Sequence, residues 1–262
     1  MHYVSADTLR FKINNAGIHS IPFVFAIDYE MENCIFVEHP FKQTEILFRF
    51  GNIRNYEPLL NIYTPCTIEI ANINSSAEYA KKFKVVQRRL FRGDSYLANL
   101  TTKAEVKVSH SLSYIMKITN SPFGICVNDT FISFSPERFV KIENGIISSN
   151  PMKGTIDASA EDAERTILND YKEMCEHNTI VDLIRNDIGM VAKKVWIERF
   201  SYIDNITTDR GAILQVSSEI KGELPENYSS YLGDIILKLL PAGSISGAPK
   251  KSTLNIISEA EG

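Results

Sequence analysis

The sequence predicts an α+β fold, and three observations carry that prediction. Short runs rich in β-branched and aromatic residues, separated by turn residues, dominate the first half of the chain. The pair Asn144-Gly145 stands between two apolar runs, Phe139 to Ile142 and Ile146-Ile147, and both its positions tolerate the positive φ of a two-residue hairpin turn. Helical patterns then alternate with sheet blocks, without the regular βαβ period of a parallel sheet.

Taken in order, Ile21 to Tyr29 reads as a buried strand and Cys34 to Val37 as its partner, across a turn at Glu30 to Asn33. Ile46 to Phe50 reads as a strand ended by Gly51, with Ile46, Phe48 and Phe50 on one face. Residues 75–91 predict a helix capped by Ser75 or Ser76, with Tyr79, Phe83, Val86 and Leu90 near one face. Gly93 to Tyr96 is a turn. Residues 111–147 predict sheet, including Phe123 to Val127 and Thr130 to Phe134 on either side of Asn128-Asp129. One helix is expected over residues 159–180, where Glu161 and Asp162 in the first turn suit the positive helix end. Lys194 to Ile197 and Gln215 to Ser218 are further strands. Ser229 to Leu240, and a stretch through Leu254, Ile256 and Ile257, are further helices.

With 262 residues the chain can bury a substantial core, and its ordinary composition argues against disorder. A formal net charge of -4 and the lack of a basic stripe exclude nucleic acid as the expected partner. No basic region followed by an apolar stretch opens the chain, and no apolar run of about 20 residues is present, so neither a secretory signal nor a membrane span is expected. Four widely spaced cysteines read as reduced thiols of a cytoplasmic protein.

Three segments carry chemistry. In Pro151-Met152-Lys153-Gly154-Thr155 a lysine between proline and a glycine-threonine step can be held as an amine nucleophile; the plainer alternative is an exposed lysine in a loop. Glu173, Glu176 and His177 fall three and four residues apart and share a helix face, which either holds a divalent cation or is simply solvated. The run Gly243-Ser244-Ile245-Ser246-Gly247 lets backbone approach a ligand closely, or serves packing alone.

With these segments the chain resembles the chorismate-utilising enzymes, in particular component I of the aminodeoxychorismate synthases. Six motifs carry the likeness, in family order: Gly93 to Thr101, Ser135-Pro136-Glu137-Arg138-Phe139, Pro151 to Thr155, Glu176 to Asp187, Ser218 to Gly222 and Pro241 to Lys250. They cover residues 75–262, the motif-bearing part of a single domain over 1–262, with 1–74 a divergent N-terminal part. The resemblance implies an α/β sandwich in which two large antiparallel sheets surround a central pocket. It also implies an enzyme that converts chorismate and ammonia to 4-amino-4-deoxychorismate, the ammonia coming from a glutamine amidotransferase subunit.

Lys153 decides which members the chain resembles, since anthranilate synthases usually carry alanine at its position, and by the resemblance it is the nucleophile. Such a lysine must be uncharged to attack, although a free one has a pKa of ~10.4. Glu137 is either the general acid or, through Arg138, a structural element. Glu173, Glu176 and Glu261 are the expected ligands of Mg2+. Thr155, Gly243, Ser244, Ser246, Gly247 and Gln215 are expected to contact substrate, with Gln215 standing where many members have histidine. His177 is expected to orient the acidic cluster, and Asp182, Arg185, Asn186 and Asp187 to form a buried network bracing the helix end. The chain stops at Glu261-Gly262, before the arginine-glycine-x-tyrosine segment and closing strands of the family, so it is expected to be C-terminally incomplete. Anthranilate or isochorismate/salicylate formation, and a chorismate-binding fragment that associates with a glutaminase, are the alternatives.

Overall fold

A computed structural model describes residues 3–59, 66–128, 130–208 and 211–262; Asp129, expected in a hairpin turn, lies outside them. Along these residues the chain forms α1 (Ala6–Ile18), β1 (Phe23–Ile27), β2 (Cys34–Glu38), β3 (Ile46–Phe50), β4 (Ile53–Arg54) and β5 (Ile68–Ile73). There follow α2 (Ser76–Phe91), β6 (Ala104–Val108), α3 (Leu112–Ile118), β7 (Phe123–Val127), β8 (Phe131–Ser135), β9 (Lys141–Glu143), β10 (Ile146–Ser149) and β11 (Met152–Asp157). The remainder is α4 (Ala163–Asn169), α5 (Tyr171–Gly189), β12 (Lys194–Thr208), β13 (Gly211–Glu223), α6 (Leu232–Leu239), the single turn α7 (Gly243–Ser246) and α8 (Lys250–Glu261). Every strand pairing among the described residues is antiparallel, in keeping with the α+β prediction.

The chain divides into two compact units, each discontinuous in sequence: Met1–Pro40 with Pro136–Ser244, and Phe41–Ser135 with Ile245–Gly262. In the first, β13 is the central strand. One of its edges takes β12 along nearly its whole length; the other takes β10 against Ser149↔Ile220 to Ile146↔Glu223 and then β11 against Met152↔Ser217 to Asp157↔Ile213. β10 and β11 are thus one strand line interrupted at Asn150-Pro151. The Asn144-Gly145 turn joins β9 to β10 with φ of 52° and 75°, the positive values the hairpin reading required. Helices α4 and α5 pack against β11 and β13.

The same unit contains an element the sequence reading lacked. Helix α1 is capped by Ser5, whose Oγ accepts from the Thr8 amide, and it buries Leu9, Ile13 and Ala16. Leu9 and Ile13 pack with Cys34 of the β1–β2 pair and with Leu232 and Ile236 of α6. Arg10 Nη1 and Asn14 Nδ2 both donate to Asp234, at 3.0 and 2.6 Å. The two helices approach so closely that a Cβ on Gly233 would overlap the Arg10 carbonyl.

Two sequence expectations are corrected here. Residues 111–147 are not sheet throughout: Leu112–Ile118 is helical, because Ser111 Oγ caps it at the Tyr114 amide and Met116 turns into the core. The single helix over 159–180 is two. Asp157 Oδ1 draws the Ser159 amide and hydroxyl into a turn, Asp162 is left-handed with φ of 49°, and α4 begins only at Ala163. Asp170 then caps α5 at the Lys172 and Glu173 amides. Short polar side chains bonding to nearby backbone outcompete helix continuation at both places.

In the second unit the sheet order is β4-β3-β7-β8, with α3 against β7 and β8, and β5 pairs with β6. Helix α2 starts at Ser75 in a full capping box with Glu78 and packs on α8 through Val86, Ile256 and Ala260.

Candidate active site

Lys153 sits in β11, in the sheet of the first unit, rather than in a loop. Opposite it, β13 supplies Val216, while Thr155 pairs with Gln215, so Gly154 is the extra residue of a β-bulge. Gly154 has φ of 77°, a conformation that favours glycine. A Cβ there would already touch the Cβ and Oε2 of Glu173 at 3.4 Å. The bulge lays α5 close over the strand and brings the Glu173 carboxylate next to the residue after Lys153. Because Val216 and Gln215 are adjacent on β13 and alternate between sheet faces, the same bulge keeps Thr155 from sharing the face of Lys153.

Glu137 approaches from the segment before β9. Its pKa is pushed up to about 7, chiefly by burial, while the neighbouring charge of Lys153 pulls the other way. That segment is fastened to the end of β10: Arg138 Nη2 donates to Ser148 Oγ (3.2 Å) and Asn150 Oδ1 (2.5 Å), and Ser149 Oγ donates to the Phe139 carbonyl (2.7 Å). The structure therefore brings together the two residues expected to do chemistry, an amine and a carboxyl that holds its proton to near neutrality.

Glu173 and Glu176 lie side by side on α5, and both reach Lys172 Nζ, at 3.5 and 3.2 Å. Glu176 foremost, with Glu173, holds the Lys172 ammonium above its ordinary pKa. Their oxygens are the donor type Mg2+ takes, and the ammonium between them marks a place where a cation is favoured. Lys172 is exposed and can swing away at little cost. Glu261, the third expected ligand, belongs to the second unit, where its Oε1 accepts from the Thr101 amide and hydroxyl. Among the described residues no group of three His, Cys, Asp or Glu side chains is gathered around one cation position.

His177 is buried and turns to the sheet, not to the carboxylates: its Nε2 is hydrogen-bonded to Ser218 Oγ at 2.7 Å, and that oxygen also accepts the Ser201 amide at 2.9 Å. Burial lowers its pKa. The expected buried network at the end of α5 is corrected in most of its members. Asp182, Arg185 and Asn186 are exposed, and Asp182 accepts from Arg185 Nε and Nη2 and from Asn186 Nδ2 on the helix surface. Offsets of three and four keep those residues together on one face; Asp187, one step further round, is buried. A Cβ on Gly243 would come within 2.8 Å of Asp187 Oδ2 and 2.9 Å of Leu183, so glycine lets the loop close on α5.

The rest of the small-residue loop splits between roles. Ser244 is half-buried in the first unit; Ser246 and Gly247 are buried in the second. Leu97 and Ala248 form a bridge, a Cβ on Gly247 would overlap the Leu97 carbonyl, and Ser95 Oγ bonds with Ala248 O and Thr253 Oγ1. Two motifs some 150 residues apart are thereby stitched together by backbone. The residues that sequence reasoning missed around the site are Asn150 and Tyr202, joined by a 2.9 Å hydrogen bond; a lone asparagine before Pro151 and a tyrosine between Ser201 and Ile203 gave no signal of their own.

Residues 42–262 match the chorismate binding enzyme family. The chain belongs to that family. It is 44% identical over 253 residues to an "Uncharacterized PabA-like protein" of Haemophilus influenzae, covering 95% of this chain and 75% of the relative. It is 32% identical over 199 residues to aminodeoxychorismate synthase component 1 of Salmonella typhimurium, covering 70% of this chain and 42% of that one. Among solved structures it is similar in fold to MenF, the menaquinone-specific isochorismate synthase of Escherichia coli. The TM-score there is 0.61 at 10% identity, over 100% of this chain and 68% of the other. No helix among the described residues is long and apolar enough to cross a membrane.

Proposed function

We propose that this chorismate-family chain acts as component I of an aminodeoxychorismate synthase, converting chorismate and ammonia to 4-amino-4-deoxychorismate. The observation that carries the reading is the pairing of Lys153 on β11 with the proton-retaining Glu137. The uncharged Lys153 amine attacks ring carbon C2, the two double bonds shift, and the C4 hydroxyl departs as water with the proton of Glu137. Ammonia then adds at C4, the double bonds shift back, and the lysine nitrogen leaves C2. Glu173 and Glu176 would hold Mg2+, with substrate carboxylate and water completing its shell; the ion supplies charge compensation at the ring carboxylate. Ammonia would come from a separate glutamine amidotransferase, in keeping with the likeness to aminodeoxychorismate synthase component 1.

The test is intact-protein mass spectrometry after adding chorismate and Mg2+ without ammonia. The expected result is an adduct at Lys153 that ammonium discharges and Lys153→Ala abolishes. Turnover undiminished in Lys153→Ala would sink the assignment.

A further inference from the structure

We propose that Asn150 is a positioning residue that sets the spacing between Glu137 and Lys153. The inference rests on the roles just given to those two residues. Asn150 occupies the interruption between β10 and β11, three residues before Lys153 in the same strand line. Its side chain reaches both ways. Oδ1 accepts from Arg138 Nη2, the residue next to Glu137, and Nδ2 donates to Tyr202 Oη on β12 at 2.9 Å. Tyr202 is itself held by the Arg199 guanidinium, 3.8 Å above its ring.

Arg138 depends heavily on this amide. Among the described residues its buried Nε has no hydrogen-bond partner, and Nη2 donates to two neutral acceptors, of which Asn150 is the nearer. Removing the amide leaves Ser148 Oγ at 3.2 Å as the remaining Nη2 acceptor and the Ser149 Oγ–Phe139 carbonyl bond as another tie of the segment, so the Glu137 segment is loosened. A displacement of about 1 Å at a reacting group costs on the order of 100-fold in rate, whereas the substrate's own contacts are untouched. Aspartate at this position preserves both links, since it accepts from Arg138 and from the Tyr202 hydroxyl.

The experiment compares wild type, Asn150→Ala and Asn150→Asp by steady-state turnover of chorismate with ammonium and Mg2+. In parallel, the Glu137 carboxyl is titrated by 13C NMR in glutamate-labelled protein, its signal assigned by difference from Glu137→Gln. For Asn150→Ala we expect kcat to fall about 10- to 100-fold with KM for chorismate within about twofold. Its Glu137 midpoint should drop toward that of an ordinary glutamate, and Asn150→Asp should restore both. A native midpoint and kcat in Asn150→Ala, a parallel rise in KM, or an Asn150→Asp protein as impaired as the alanine variant would each overturn the proposal. If wild type shows no turnover, the assigned reaction has failed and the NMR midpoints alone decide the positioning role. Should Asn150→Ala not fold, Tyr202→Phe removes the far support and is read the same way.

Discussion

Replacing Glu137 by glutamine removes a carboxyl that the fold holds at about 7 in place of its ordinary 4.5. Between those values the folded chain keeps the proton and the unfolded chain has lost it. Stability contributed by this group is therefore fully present below the unfolded value, falls as pH rises toward the folded one, and is flat above it. At about 1.4 kcal/mol per pKa unit the shift sets a ceiling of about 3 kcal/mol. Partial exposure and screening bring the expected gain of Glu137→Gln near pH 8 to about 1–2 kcal/mol, shrinking to well under about 1 kcal/mol near pH 5. The assay is urea unfolding of both proteins across that range, reading midpoints at constant slope. Parallel stability curves, or a glutamine variant that is less stable at the alkaline end, would refute the claim that this carboxyl is costly to ionise in place.

Ser218→Ala should cost about 1–3 kcal/mol, because both the buried His177 ring nitrogen and the Ser201 amide lose their acceptor or donor; thermal or urea unfolding reads it directly. Gly154→Ala should cost about 1–2 kcal/mol from its left-handed backbone. It should also suppress the Lys153 adduct more than Gly51→Ala does, a change at the same kind of backbone with nothing nearby to displace.

The sequence made hairpins legible where turn chemistry was local. Asn144-Gly145 fixed β9 and β10, and Gly51 ended β3. It also exposed Lys153, Glu137 and the Glu173-Glu176 pair as types and spacings, which is what α5 and β11 require. What it hid was set by competition and by distance. Asp157 and Asp170 interrupt the expected helix through bonds to backbone, yet in the sequence they look like ordinary solvated acids before it and within it. Helix α1 carried its own signal, a Ser5 cap with Leu9, Ile13 and Ala16, overshadowed by the β-rich stretch beyond it. The bulge that separates Thr155 from Lys153 has no mark except Gly154, and Asn150 gains its meaning only from partners 12 and 52 residues away.

The anchoring of α1 on Asp234 has a consequence for biosynthesis. Helix α1 finds its carboxylate more than two hundred residues later, so it must wait, with Leu9 and Ile13 uncovered on one side, until Asp234 has been made. Such long-range closure is slow and leaves greasy surface open to wrong partners. Chaperone dependence during translation follows from where one aspartate was put.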